Sequence, residues 1–240
     1  MEQFYHWILN SMLLTGSYDS KLRIYNAEND YCISFTNFDN KDPILDAKFL
    51  SDNQYVASPK NSTIKLYDIT KSIPISKVKT NSFGYSLSPT YNNLIVSGHH
   101  NGSIISWDIR TKAQVNEIKA HTQPCIHVIS NFESSRVVSL SLDNTIIVND
   151  LRYPQAPVGK IKIKETHISS KRSRMSVQND IVIVGGNDGN IYSYSLNDFK
   201  KRSLFTALNG SNALNVQLSN SLNYLVTGDN NGVVKYWKAR

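Results

Sequence analysis

The sequence predicts an all-β chain made of six similar units. Three observations predict it: a recurring polar turn, an apolar run that always ends six residues after the turn begins, and a nearly constant distance between the run ends. Those run ends lie 40 to 45 positions apart along the 240-residue chain. A period of this size is typical of a repeat architecture rather than of one irregular core. The run-ending residues are Tyr25, Tyr67, Trp107, Asn149, Tyr194 and Trp237.

The turn of each unit is a pair of residues drawn from Asp, Asn, Ser and Gly. These residue types tolerate positive φ and close two-residue hairpins. We therefore expect each pair to join two antiparallel strands through a two-residue loop. The six pairs are Asp19-Ser20, Asn61-Ser62, Asn101-Gly102, Asp143-Asn144, Asp188-Gly189 and Asn231-Gly232.

Bulky and β-branched residues precede and follow every turn, as half-buried strands require. An alternating segment upstream, such as Ile44 to Leu50, predicts an innermost strand, and a more polar segment downstream, such as Ile75 to Val78, predicts an outer one. Helical periodicity is nowhere sustained. Four short strands per unit indicate the blade of a β-propeller. The chain ends three residues after Trp237, before a further outer strand, so the expected total is 23 strands.

Over essentially its whole length the chain resembles the WD-repeat (WD40) β-propeller family. Trp107-Asp108 is the signature dipeptide of that family, and Tyr67-Asp68 and Asn149-Asp150 are degenerate copies. Ala120-His121 resembles the Gly-His that precedes the inner strand. The resemblance implies a buried network of His, Ser, Asp and Trp, which is expected to be incomplete where Asn149 replaces Trp.

The resemblance also implies a single WD-repeat propeller domain over residues 1–240. Propellers of this family usually close with seven blades, and one terminus lends an outer strand to the other. Because the closure strand is missing here, we expect a fragment of a seven-bladed ring; a gene model begun at an internal Met is the alternative. The expected units are about 1–40, 41–80, 81–120, 121–165, 166–208 and 209–240.

Composition favours a cytoplasmic protein. Hydrophobic residues make up 40% of the chain, but no apolar run has the length of roughly 20 residues that a membrane span requires. Met1 to Leu14 lacks the basic segment of a secretory signal. The two cysteines, Cys32 and Cys125, fall in different units, so neither a disulfide framework nor a zinc site is expected.

The histidines and serines give no pattern of a catalytic site. The six histidines are scattered, and no His-Glu-x-x-His or Gly-x-Ser-x-Gly motif occurs. We expect His99-His100 to lie exposed in a hairpin connection. The chain is therefore not expected to be an enzyme or to hold a cofactor or metal. The predicted function is a protein–protein interaction scaffold, in which rigid blades present their connecting loops to a partner.

Candidate partner-binding residues follow two of the apolar runs. Within the family, the segment from Ser97 to Arg110 and the later segment Asp150-Leu151-Arg152 resemble the C-terminal propeller of autophagy-related protein 16-like scaffolds. This resemblance implies recruitment of partners to membrane-linked conjugation of ubiquitin-like modifiers. The candidate residues are Trp107, Asp108, Arg110, Asp150 and Arg152.

A second interpretation of the same residues is open. Trp107-Asp108-Ile109-Arg110 also resembles the Trp-Asp-x-Arg box of substrate receptors of cullin ubiquitin ligases, where the Arg contacts an adaptor. A third interpretation is structural: Arg110 and Arg152 pair with nearby acids at the strand ends.

The formal charge of +7 includes a basic patch in the longest inter-repeat interval. Such a patch predicts weak contact with acidic lipid or protein surfaces; the alternative is a solvated edge strand whose lysines block edge pairing. A nucleic-acid-binding propeller is a further alternative, but no aromatic residue is interleaved to stack on bases. A second basic cluster, Phe199-Lys200-Lys201-Arg202, carries no predicted function. The patch comprises Lys160, Lys162, Lys164, Lys171, Arg172 and Arg174.

Overall fold

A computed structural model describes residues 5–9, 11–38, 41–71, 73–90, 94–130, 135–207, 211–219 and 223–238. The described residues contain no α-helix, and their 23 strands form six antiparallel sheets, which confirms the predicted fold class and strand count. Within these ranges no helix meets the length and apolarity of a membrane span. The chain divides into two compact units, unit 1 with residues 1–100 and 104–117 and unit 2 with residues 101–103 and 118–240.

The first three sheets have four strands each. The first contains β1 (Tyr5–Leu9), β2 (Met12–Gly16), β3 (Lys21–Asn26) and β4 (Cys32–Asn37). The second contains β5 (Ile44–Ser51), β6 (Gln54–Pro59), β7 (Thr63–Asp68) and β8 (Pro74–Lys79). The third contains β9 (Gly84–Pro89), β10 (Leu94–His99), β11 (Ser103–Asp108) and β12 (Ala113–Lys119).

The remaining sheets belong to unit 2, and the last has three strands. The fourth sheet contains β13 (Cys125–Ser130), β14 (Arg136–Ser141), β15 (Thr145–Asp150) and β16 (Gly159–Lys162). The fifth contains β17 (Ser176–Gln178), β18 (Ile181–Gly185), β19 (Asn190–Ser195) and β20 (Lys201–Thr206). The sixth contains β21 (Ala213–Leu218), β22 (Tyr224–Asp229) and β23 (Val234–Lys238).

Each sheet is a meander in which every strand pairs with the next one along the chain. This is the strand order of a β-propeller blade. The described residues therefore form six blades, the last without a fourth strand, and the seventh blade stays a prediction.

The hairpin turns have the predicted backbone conformation but not the predicted length. Ser17 N–H donates to the Lys21 carbonyl at 3.1 Å and Ser20 N–H donates to the Ser17 carbonyl at 3.3 Å, so three residues lie in the loop. A type I turn followed by one residue with positive φ gives this geometry. The prediction of two-residue loops is wrong. Positive φ occurs at the second residue of every turn pair: Ser20, Ser62, Gly102, Asn144, Gly189 and Gly232.

A buried polar network links the third sheet around Trp107. The Trp107 indole N–H donates to Ser97 Oγ at 2.8 Å, and Ser97 Oγ lies 2.7 Å from His99 Nε2. His99 Nδ1 donates to the Ser82 carbonyl at 2.7 Å, so Nε2 is the acceptor in the neutral ring. Trp107 packs among Val56, Leu87 and other buried residues. The network holds β11 against β10.

The expected exposure of His99 is wrong. Its side chain is fully buried, because β10 continues through His99 and the connection begins only at His100. His100 is exposed and stacks on Phe83 with ring centroids 4.7 Å apart. Burial lowers the pKa of His99 to about 4, and its hydrogen bond to Ser82 only partly opposes that shift.

The fourth sheet contains a related hydrogen-bond network in which Asn149 takes the position that Trp107 has in the third sheet. His121 Nε2 lies 2.8 Å from Ser139 Oγ, and Nδ1 lies 3.2 Å from an Asp143 oxygen. Burial raises the pKa of Asp143, but hydrogen bonds from His121 and Thr145 outweigh it and hold that pKa well below its usual range. Asn149 is buried and its amide nitrogen has no hydrogen-bond partner among the described residues. This confirms that the network is incomplete at Asn149.

The turn at Gly102 leads to a stability prediction. Gly102 has φ of 82°, and a Cβ there would collide with the His121 carbonyl oxygen and lie 2.9 Å from that of Gln123. Gly232 has the same φ of 82° with open space around it. We expect Gly102→Ala to lower the free energy of unfolding by about 3 kcal/mol or more, and Gly232→Ala by about 1 kcal/mol. Urea titration of both variants measures the difference; equal losses would contradict the close approach at Gly102.

Burial of His99 leads to a pH prediction. Its pKa is about 4 in the folded chain against 6.5 when solvated, so the unfolded chain binds the extra proton first as the pH falls. The contribution of neutral His99 to stability is therefore complete above pH 6.5 and is lost as the pH falls toward 4. The loss is up to about 3 kcal/mol. Urea titration across this range should show a smaller loss in His99→Gln than in the wild type.

His100→Gln is the matched control, because His100 is exposed. This variant should keep the pH dependence of the wild type. An unchanged pH dependence in His99→Gln would show that His99 does not titrate as a buried group.

Candidate partner-binding site

The predicted binding residues begin at the end of β11, where Trp107 itself is buried. Its indole is held by Ser97, and exposure of the side chains increases from Asp108 to Arg110. Trp107 fixes the strand end from which Asp108 and Arg110 extend.

Asp108 organises the turn that carries Arg110. Its Oδ1 accepts hydrogen bonds from the backbone N–H of Arg110 at 2.8 Å and of Thr111 at 3.1 Å. These bonds, that of Thr111 first, lower the pKa of Asp108. The Arg110 guanidinium lies 3.5 Å from the other carboxylate oxygen, and 72% of its side chain is exposed. Arg110 is therefore positioned by the backbone and only loosely paired.

We call the turn from Asp108 to Arg110 the Arg110 corner. A second turn of the same type, from Asp150 to Arg152, follows β15 in unit 2. Arg152 N–H donates to Asp150 Oδ1 at 2.9 Å, as at the first corner. Its guanidinium also binds both carboxylate oxygens, with Nε 3.0 Å from Oδ1 and Nη2 2.7 Å from Oδ2. This pairing lowers the pKa of Asp150 and raises that of Arg152. Although 64% of its side chain is exposed, the donors of Arg152 are more fully engaged than those of Arg110.

An apolar cleft lies beside Trp107 in unit 1, between the second and third sheets. We call it the Trp107 cleft. The sequence did not predict it, because its walls come from strands of two successive repeats. It is lined by Val56, Ile64, Leu66, Ser76, Val78, Ile95, Trp107, Asp108, Ile109 and Lys112.

The six residues of the predicted basic patch do not form one surface. Lys160 and Lys162 are exposed on β16, and Lys164 is exposed just beyond it. Arg174 instead donates to the Ile126 carbonyl of β13 at 3.2 Å, and Lys171 and Arg172 lie close to it in sequence. Strands β13 and β16 are opposite edges of one sheet, about 14 Å apart. The β16 lysines and the Arg174 segment are therefore separate.

Chemistry-bearing side chains are sparse elsewhere. Within the part of the chain that the structure describes, no group of three or more His, Cys, Asp or Glu side chains could hold a metal ion. Cys32 is exposed and Cys125 is buried, and both are free.

Comparison with known proteins gives distant relatives. Autophagy-related protein 16 of Arabidopsis thaliana is 27% identical over 155 residues, covering 63% of this chain and 30% of the relative. Pre-mRNA-processing factor 17 of Mus musculus is 24% identical over 239 residues, covering 94% and 40%. Histone acetyltransferase type B subunit 2 of Kluyveromyces lactis is 27% identical over 139 residues, covering 51% and 30%. The chain thus spans 30% to 40% of the length of these relatives.

No protein-family model matches the chain. Among solved structures, the computationally designed Ika8 protein matches with a TM-score of 0.76 and 20% identity over 98% of this chain and 70% of that one, which shows the fold alone. The relatives above are WD-repeat proteins. The chain shares with these relatives the Trp107-Asp108 dipeptide and the six blades in phase, so the predicted resemblance to WD-repeat β-propellers is confirmed.

Proposed function

We propose that the chain is a non-catalytic protein-interaction scaffold, and that the Arg110 corner and the Trp107 cleft bind one extended segment of a partner protein. The observation that supports this most is the position of a largely exposed arginine three residues beyond a buried tryptophan that lines an apolar cleft. Binding energy in protein interfaces concentrates where an apolar anchor fills a pocket beside an arginine.

The positive charges of the Arg110 corner indicate which side chains a partner segment would carry. Among the residues that the structure describes, the Arg110 guanidinium has one ion-pair contact, at 3.5 Å to Asp108, so most of its N–H donors can bind a carboxylate in a bidentate manner. Lys112 adds a second positive charge where it lines the cleft. The partner segment therefore carries an acidic side chain for Arg110 next to an apolar side chain for the cleft.

The biological setting we propose is that of autophagy-related protein 16-like scaffolds, in the cytoplasm. The 27% identity to the relative of that name supports it. In this setting the propeller recruits partners to membrane-linked conjugation. Two other relatives are named for pre-mRNA processing and for a histone acetyltransferase, so the same scaffold role in those settings is the competing outcome.

A second candidate is a substrate receptor of a cullin ubiquitin ligase. The recurrence of one geometry at Asp108–Arg110 and Asp150–Arg152 favours it, since both arginines donate a backbone N–H to the aspartate two residues earlier. In this alternative the exposed arginines contact the ligase adaptor instead of a recruited partner.

Capture of partners by the tagged chain and its variants tests the proposal. We expect Arg110→Ala to reduce the main bound protein by about tenfold or more, because the variant removes the carboxylate contact at the centre of the interface. Arg152→Ala should reduce it less, because Asp150 already engages that guanidinium. The identity of the Arg110-dependent protein, determined by mass spectrometry, separates conjugation machinery from a cullin adaptor.

Arg202→Ala is the matched control. Arg202 is 54% exposed and pairs with Asp198 at 2.9 Å, but it lies on β20, away from both corners along the chain. Equal capture by wild type and Arg110→Ala would contradict the proposed site, and loss of capture in Arg202→Ala would show a non-specific effect of charge.

A further inference from the structure

The turn after β19 in unit 2 is equivalent to the turn after β11 in unit 1. Lys112 lies five residues after Trp107 and has φ of 60°. Phe199 lies five residues after Tyr194 and has φ of 57°. Positive φ is uncommon for residues other than glycine, so the shared conformation marks the same position in both turns. Phe199 therefore takes in its turn the position that Lys112 takes beside the Trp107 cleft.

The ring of Phe199 lies on the backbone of Gly159, at the start of β16. A Cβ on Gly159 would collide with that ring. Gly159 pairs with Val148 in the fourth sheet. In the second sheet Ser76 pairs with Leu66, which has the same position in its strand as Val148. The ring thus packs on the equivalent of Ser76, a residue that lines the Trp107 cleft.

The two places differ in how far their apolar side chains are sealed from solvent. In the fourth sheet, beside the ring, Val148 and Ile161 are each 3% exposed. Their equivalents in the second sheet, Leu66 and Val78, line the Trp107 cleft and are partly exposed. Unit 2 therefore fills with its own aromatic ring a place that unit 1 leaves open.

Lys112 cannot fill the Trp107 cleft as Phe199 fills its equivalent. Its side chain is exposed, and burying an unpaired ammonium group would cost more than burial of the methylene groups returns. At the edge of the cleft the same ammonium group attracts the face of an aromatic ring. An aromatic side chain also brings a large apolar area with few rotatable bonds. A leucine side chain would gain burial without the cation–π contact, so the cleft favours an aromatic side chain.

We propose that the Trp107 cleft binds an aromatic side chain of the partner segment, as Phe199 fills the equivalent place in unit 2. This inference rests on the proposed function, in which Arg110 binds an acidic side chain next to the cleft. It adds the chemical class of the second side chain. The partner segment carries a phenylalanine or tyrosine beside an aspartate or glutamate.

Three capped dipeptides test the proposal on the full chain: acetyl-Glu-Phe-amide, acetyl-Glu-Leu-amide and acetyl-Gln-Phe-amide. NMR titration measures their binding from the shift of the Trp107 indole N–H resonance. We expect acetyl-Glu-Phe-amide to bind about fivefold more tightly than acetyl-Glu-Leu-amide, because the ring adds aromatic and cation–π contacts to the burial of apolar area. The comparison with acetyl-Gln-Phe-amide measures the contribution of the carboxylate to Arg110.

The double variant Ser76→Gly, Lys112→Phe places an equivalent of the Phe199–Gly159 pair in the cleft itself. Its own ring should occupy the cleft and weaken binding of acetyl-Glu-Phe-amide by about tenfold or more. Lys112→Gln is the matched control, because it removes the charge without filling the cleft; we expect it to weaken binding only a few-fold. Thermal unfolding checks that both variants are folded.

The outcomes separate this proposal from the proposed function. Equal affinity for the Phe and Leu peptides, with weaker binding of the Gln peptide, would overturn the aromatic site and leave the role of Arg110 standing. Equal affinity for the Glu and Gln peptides would contradict the role of Arg110, while a preference for Phe over Leu would still support the aromatic site. Unchanged peptide binding by the double variant would show that the ring lies outside the cleft. The absence of an indole shift with all three peptides would overturn both.

Discussion

In each unit, the positive φ of one turn residue fixes the strand register on which the rest of this structure depends. After each turn Asp or Asn, the next residue adopts positive φ, and the chain then reverses into the third strand of the sheet. In four of the six turns the Asp or Asn side chain also accepts the N–H of the residue two positions on, as Asp19 does from Lys21 at 2.9 Å. These bonds favour the turn locally, before long-range contacts form. A slip of one residue there would exchange the buried and exposed faces of the sheet.

The fixed register explains why an Asp-x-Arg turn recurs at the end of the third strand. Six residues after the start of each turn, the chain leaves the core. The residue there is buried in four units, at Tyr67, Trp107, Asn149 and Tyr194. The next residue is the first that solvent reaches, and an aspartate there can bind the following backbone N–H groups. At Asp108 and Asp150 this places an arginine outside the sheet with no long loop to order. The blades thus supply rigidity, and differences between repeats decide which of these turns carries an arginine.

The sequence predicted the fold well because its signals are local and repeated. Turn residues, strand positions and the three-stranded last sheet all follow from patterns within one period. His99 was misjudged because its burial depends on Ser97 and on the Ser82 carbonyl, whose positions are set by strand pairing. The Trp107 cleft was not predicted for a similar reason: side chains from two successive blades form it, and nothing in the spacing of a single repeat shows which will meet.

Hydrogen–deuterium exchange over the whole chain tests most directly the claim that the six hairpins are in phase. We expect six maxima of amide protection, each centred on the second strand of a sheet and recurring at the 40- to 45-residue period, with faster exchange in the outer strands. Protection that lacks this period, or that is greatest in the turn residues, would contradict it.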